Sequence, residues 1–279
     1  MTATASGAPR TASDMARRTA SGLLLATLVF GSLTYVPAFA VVVLAVCLAS
    51  LWELSRLTAR TGQALIFPVA AAAITVYIVL AAMNLQHVYE AALLAGTVIA
   101  SLAFSLAGSR QGFFARSAFT VLGVLYIGWL GSYFLVLRNL PHFGIAYTAE
   151  SVVAISFTDI FAMLVGTRIG RTHMTSISPN KTWEGAAGGF VATTLVCASF
   201  GALPVLGMPW WHGAFIGAVT SIAAQAGDLV ESALKRDARV KDAGTLMAGH
   251  GGVLDRYDSY TFGGIAFYAA LYLTGHIAH

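Results

Sequence analysis

The sequence predicts an all-α bundle of membrane-spanning helices, and three observations carry that prediction. Hydrophobic residues make up 57% of the 279 positions and charged residues only 10%. The mean hydropathy of +0.75 lies far outside the range of a water-soluble core. Nine apolar stretches approach the roughly 20 residues that cross a bilayer, and the basic residues sort onto one side of them. The formal net charge of +4 and a pI near 9.2 would suit a nucleic-acid binder, but in a membrane protein such residues set orientation and meet anionic headgroups. No nucleic acid is therefore expected as a partner, and the bilayer itself is. Cys47 and Cys197 both fall inside apolar stretches, which excludes a disulfide framework and a cysteine zinc site.

Taken in order, residues 1–18 are rich in Ala, Ser and Thr with three arginines and read as a disordered cytosolic lead. Arg17-Arg18, an apolar run and Ala38-Phe39-Ala40 imitate a signal peptide, yet another apolar span follows Ala40 where a soluble domain would begin. The predicted spans are 20–35, 37–53, 64–83, 88–108, 117–137, 148–167, 184–203, 212–234 and 257–277. The first two form one greasy run, which Thr34, Tyr35 and Pro37 break at a tight turn. With the amino terminus cytoplasmic and the carboxyl terminus outside, 15 of the 16 Lys/Arg residues face the cytoplasm and only Arg138 does not. Merging the first two spans would scatter the later charges, against the positive-inside rule. Small residues spaced Gly185 to Gly189 and Gly213 to Gly217 allow close helix contact.

Ionisable groups in or near a span are expensive and tend to be functional. Asp159 lies in the middle of the sixth span, either as a carboxylate paired for packing or as the wall of a polar cavity. Asp228 and Glu231 sit three apart near the cytoplasmic end of the eighth, on one helical face, with Lys235 a turn further on. An ordinary i,i+4 pair explains Glu231 and Lys235 but not the deeper Asp228.

From Ser232 to Ser259 the chain gathers five of its sixteen Lys/Arg residues beside Asp237, Asp242, Asp255 and Asp258. Lys235-Arg236 and Lys241-Asp242 precede Gly249-His250-Gly251-Gly252. Glycines let successive N–H groups face an anion, as in a phosphate-binding nest, although a turn-forming loop gives the same letters. Asp255 and Asp258 follow, three apart, where helix capping would suit the first. Together with Asp228 and Glu231 they also form a set of hard oxygen donors of the kind Mg²⁺ prefers. A second cytoplasmic cluster, Ser178-Pro179-Asn180-Lys181-Thr182-Trp183-Glu184-Gly185, places Lys181 near a helix amino terminus, an anion site. Asn180 stands where a Walker A loop needs glycine, and Trp183 suits an interfacial anchor. Both clusters face one compartment, so a joint site is topologically allowed.

At these residues the chain resembles the phosphatidate cytidylyltransferases, or CDP-diacylglycerol synthases. Their signature is matched at unbroken spacing by Ser232, Leu234, Lys235, Arg236, Lys241, Asp242, Gly244, His250, Gly251, Gly252, Val253, Asp255, Arg256 and Asp258. Ser178 to Gly185, Asp159 and Gly227-Asp228 also fit the family pattern, so motifs cover about the last 130 residues and hydropathy alone covers the rest. Met247, Ala248 and Tyr257 depart from it, and the Gly-Ala-Tyr common after the intramembrane aspartate is missing. None of these removes a charge or a loop glycine.

The resemblance implies that CTP and phosphatidate give CDP-diacylglycerol and pyrophosphate, at a site facing the cytoplasm in the inner (plasma) membrane, with 148–279 as the catalytic region and 19–147 as supporting helices. A homodimer is compatible with such a bundle. Asp228, Lys235, Asp255 and Asp258 become the catalytic expectations. Asp228 and Asp255, helped by Asp258 or Glu231, would hold Mg²⁺, in a centre with room for a second cation. Lys181, Arg236, Lys241, His250, Gly251, Gly252 and Arg256 would bind phosphates along with Lys235, His250 without proton transfer. Two other readings stay open: a CTP-dependent polyprenol or phytol kinase, and a cation transporter using Asp159, Asp228 and Glu231 as an ion path.

Overall fold

The computed structural model describes residues 22, 24–107, 111–244 and 251–277. The expectations for residues 1–18, for His250 and for Met247 and Ala248 lie outside these. Among the described residues the chain forms nine helical rods and no strand: α1 (24–32), α2 (Val36–Arg60), α3 (Phe67–Ala82), α4 (Gln86–Leu106), α5 (Phe113–Arg138), α6 (Gly144–Ile169), α7 (Trp183–Gly201), α8 (Trp210–Asp237) and α9 (Leu254–Leu273). Each predicted apolar stretch falls on one rod. Five of them, α2, α4, α5, α6 and α8, are long and apolar enough to cross a membrane, and α3 is a shorter apolar helix. The chain is an all-α polytopic membrane protein. Large apolar side chains such as Val41, Ile99, Phe104, Leu195 and Ile222 stay exposed on the outside of the bundle, where lipid tails replace water as their solvent.

The rods meet where the sequence supplies turns and small residues. Pro37 lies in the first turn of α2, where its missing N–H costs nothing, and residues 33–35 make the predicted bend. Arg138, the one basic residue that positive-inside sorting leaves out, holds this bend: its Nε donates to Leu33 O and its Nη2 to Thr34 O at 3.4 Å. Its neighbour Asn139 donates to Ala81 O (2.8 Å), which also accepts the Asn84 N–H (3.0 Å), and to Ala82 O (3.1 Å), at the carbonyl end of α3.

α6, α7, α8 and α9 pack in sequence, and glycines set their spacing. A Cβ on Gly185 would lie 2.6 Å from Ala162 O, one on Gly189 2.6 Å from Thr158 O and one on Gly217 2.7 Å from Thr193 O, while Gly213 faces Cys197 O. The predicted small-residue contacts are thus real backbone approaches. Inside this group Thr158, Thr193 and Ser221 share hydroxyl hydrogen bonds (2.7 and 3.2 Å), so no buried hydroxyl of the three is stranded.

In α5, residues Val124–Trp129 wind as a π-helix, which loosens the regular carbonyl ladder. Tyr257 Oη donates to Ile127 O at 3.5 Å and lies 3.4 Å from Cys47 Sγ. A side chain on Gly131 would collide with that hydroxyl. The tyrosine that departs from the family pattern therefore has a fitted seat, made by Gly131, Cys47 and the wide turn.

Candidate functional site

The joint between α8 and α9 is built on Gly227. Its Cα faces the Asp258 backbone so closely that a Cβ would stand 2.5 Å from Asp258 O. Asp228 and Glu231 of α8 and Asp258 of α9 thereby converge, with one carboxylate oxygen of each within 4.8 Å of the others. Glu231 is fully buried and Asp258 nearly so, at 0% and 5% exposure. Glu231 Oε1 has no hydrogen-bond partner among the described residues. Asp258 Oδ1 accepts from Ser259 N at 2.7 Å, and Ser259 Oγ donates to Asp159 Oδ1 at 3.1 Å. The intramembrane aspartate is therefore paired, and through Ser259 it connects to the residue beside Asp258.

The buried Glu231 and Asp258 and the partly exposed Asp228 crowd negative charge together, and cations answer them. Lys235 Nζ lies 2.5 Å from Glu231 Oε2 and 2.8 Å from Asp255 Oδ1, and Lys181 Nζ lies 2.7 Å from Asp228 Oδ2. The last pair joins the loop before α7 to α8 directly. Arg236 joins them again, since its Nε donates to Ile177 O and its Nη1 to Val240 O, each at 3.2 Å. Expected to meet phosphate, Arg236 here spends donors on backbone that holds the 170–182 loop to the end of α8. Lys241 and Arg256 are exposed on the same joint.

Asp255 differs from its expected partners. It lies at the edge of the three converging carboxylates and shares Lys235 with Glu231: Oδ1 takes Lys235, Oδ2 accepts Gly252 N–H at 2.8 Å, and Ala243 N–H reaches both oxygens at 3.2 Å. Burial pushes its carboxyl up, but hydrogen bonds with the Glu231 and Lys235 side chains and the Gly252 N–H hold it below its ordinary 3.8. The expected offering of the Gly252 amide to an anion is not seen, because that N–H is spent on Asp255. Gly251, at φ +88°, takes a left-handed turn that only glycine adopts without strain.

The motif from Ser178 to Gly185 reads physically in the structure. Thr182 caps α7 by accepting Gly185 N–H at 3.1 Å. Glu184 reaches back to accept the N–H groups of Arg171 and Thr172 (3.2 Å) and the Thr172 hydroxyl (2.9 Å), which closes the loop that carries Lys181. Trp183 is 56% exposed, in keeping with an anchor. A cavity of about 160 Å³ opens beside this motif, lined by Met163, Met174, Asn180, Lys181, Gln225 and Asp228 among others.

Sequence reasoning missed Glu53. This carboxylate of α2 is 1% exposed, and its Oε2 accepts the N–H of Leu254, the first residue of α9, at 2.8 Å. The signal for it was a charge inside an apolar run, the same criterion that singled out Asp159. Glu150 of α6, 2% exposed, is a second buried acid of this kind, beside Cys197 of α7.

A family model described as the cytidylyltransferase family matches residues 16–274. The chain is 42% identical over 150 residues to the phosphatidate cytidylyltransferase of Bacillus subtilis, an alignment covering 53% of this chain and 56% of that protein. It is 38% identical over 172 residues to the enzyme of that name from Synechocystis (51% and 58%). It is also 37% identical over 182 residues to the chloroplastic phosphatidate cytidylyltransferase 4 of Arabidopsis thaliana (56% and 46%). The chain thus spans about half the length of the curated relatives it matches.

Proposed function

The chain belongs to the cytidylyltransferase family, and from that premise we propose that it transfers the cytidylyl group of CTP to phosphatidate, releasing pyrophosphate and forming CDP-diacylglycerol. A phosphate oxygen of the lipid attacks the α-phosphorus of CTP, and the bond from that phosphorus to the bridging oxygen of pyrophosphate breaks. The nucleophile is already ionised near neutral pH, so no general base is required. The barrier lies in bringing two polyanions together in line.

The observation that carries this reading is the convergence of Asp228, Glu231 and Asp258 beside Lys181 and Lys235. Their oxygen donors, and the partnerless buried Oε1 of Glu231, fit Mg²⁺, with a second cation as an extension of the same centre. Bound there, the ion would offset phosphate charge. Lys181 and Lys235 are each held by carboxylates before substrate arrives, so their charge is preorganised. Lys241, His250, Arg256 and Gly251 complete the proposed phosphate-binding set, and Arg236 with Asp255 positions it.

We further propose nine crossings with the amino terminus and the site on the cytoplasmic side of the plasma membrane, where CTP arrives from water and phosphatidate from the leaflet. Purified protein given CTP, phosphatidate and Mg²⁺ should form CDP-diacylglycerol and pyrophosphate in equal amounts. Formation of CDP would instead favour a lipid kinase, and no turnover with metal-coupled cation flux a transporter.

A further inference from the structure

We propose that Glu53 is a positioning residue that seats the amino terminus of α9, and that Gly252 is glycine because the Glu53 carboxylate occupies the place of a side chain. This rests on the reading of the α8–α9 joint as the cytidylyl-transfer site. The first N–H groups of a helix lack partners within the helix, and no side chain of α9's own cap position supplies one. Glu53 Oε2, 201 residues away in the chain, accepts the Leu254 N–H at 2.8 Å. Its negative charge there also opposes the positive end of the helix dipole.

Two glycines close around the same group. A Cβ on Gly252 would lie 2.5 Å from Glu53 Oε2 and 2.9 Å from its Cδ, and one on Gly244 would meet Oε1 and lie 2.5 Å from Cδ. Glu53 Oε1 has no hydrogen-bond partner among the described residues, so the carboxylate is enclosed rather than solvated. A carboxylate would repel a nucleotide phosphate, and the Gly252 N–H already serves Asp255. Gly252 therefore acts as packing room for Glu53, with Asp255 next to the capped residue and Asp258 one turn further along the helix that Glu53 caps. α2, far from the signature in sequence, sets the register of two of its aspartates.

The test is a double-mutant cycle on the full chain in phosphatidate-containing vesicles, read both as cytidylyl transfer and as thermal unfolding midpoint. Gly252→Ala and Glu53→Ala should each cut kcat by about tenfold or more, and the double variant should lose no more than the worse single one, because removing the carboxylate relieves the collision. Glu53→Gln, whose amide oxygen still accepts from Leu254, should retain kcat within about threefold of the parent. Losses that multiply in the double variant, or Glu53→Gln as impaired as Glu53→Ala, overturn the proposal. If Glu53→Ala does not accumulate, Glu53→Asp, one methylene shorter, takes its place in the cycle. A parent protein that makes no CDP-lipid overturns the functional reading instead, and the unfolding cycle of the same proteins still decides the role of Glu53.

Discussion

Gly227→Ala probes the crossing on which the carboxylate site depends. The added Cβ would stand 2.5 Å from Asp258 O and 3.3 Å from Asp258 C, whereas ordinary contact begins at 3.4 Å. Both obstructing atoms are backbone, so no side chain can turn aside, and α8 and α9 must separate by about 0.9 Å at this point. Overpacking of this kind costs ~1–3 kcal/mol of stability. The larger effect falls on rate: Asp228 moves away from Asp258 by a comparable distance, and a displacement near 1 Å lowers turnover by ~10²-fold. The assay is CDP-diacylglycerol formation by the folded variant, with thermal unfolding in detergent as a check. Gly96→Ala, on α4 with nothing within 4 Å of the added atom, should match the parent. Gly227→Ala at full rate would refute the claim that the α8–α9 approach sets the geometry of the site.

Chelation with EDTA should abolish turnover and Mg²⁺ restore it; Asp258→Asn, which removes one of three converging carboxylates, should need at least about tenfold more Mg²⁺, while Asp255→Asn lowers rate with a smaller shift in that requirement, measured by Mg²⁺ titration. Glu184→Ala, which frees the N–H groups of Arg171 and Thr172, should speed tryptic cleavage at Arg171 without unfolding the bundle, as mass spectrometry of the digest would show. Asp255 titrates below its ordinary 3.8, so its stabilisation is present above that value and lost only as pH falls through the depressed one. The gap in unfolding temperature between parent and Asp255→Asn should accordingly hold steady from about pH 5 to about pH 8.

Much of the bundle was legible because a bilayer leaves few choices: apolar runs of sufficient length become helices, and glycine spacings mark where they touch. Helix ends were not, and α2 shows why. Its apolar run was expected to end at residue 53, yet the helix continues to Arg60, since a helix that leaves the membrane needs no apolar residues to persist. That extension made Glu53 look like the edge of a span when it is the interior of the joint. The candidate site was legible as a set of charges, because Asp228 and Glu231 at the end of one apolar span and Asp258 at the start of the next are brought side by side by the short connection between them. Their division of labour was not. Spacing along the chain puts Asp255 and Asp258 three residues apart and cannot say that one turns toward Lys235 and two backbone N–H groups while the other turns toward Asp228 and Glu231. Nor can it show that Gly252 packs on a carboxylate from another part of the chain.

The fate of isotopic phosphorus tests the central claim most directly. With purified protein, Mg²⁺, phosphatidate and CTP labelled at either the α- or the γ-phosphorus, cytidylyl transfer predicts α-label in the lipid product and γ-label in pyrophosphate. The γ-label appearing in lipid while the α-label leaves as CDP would contradict it.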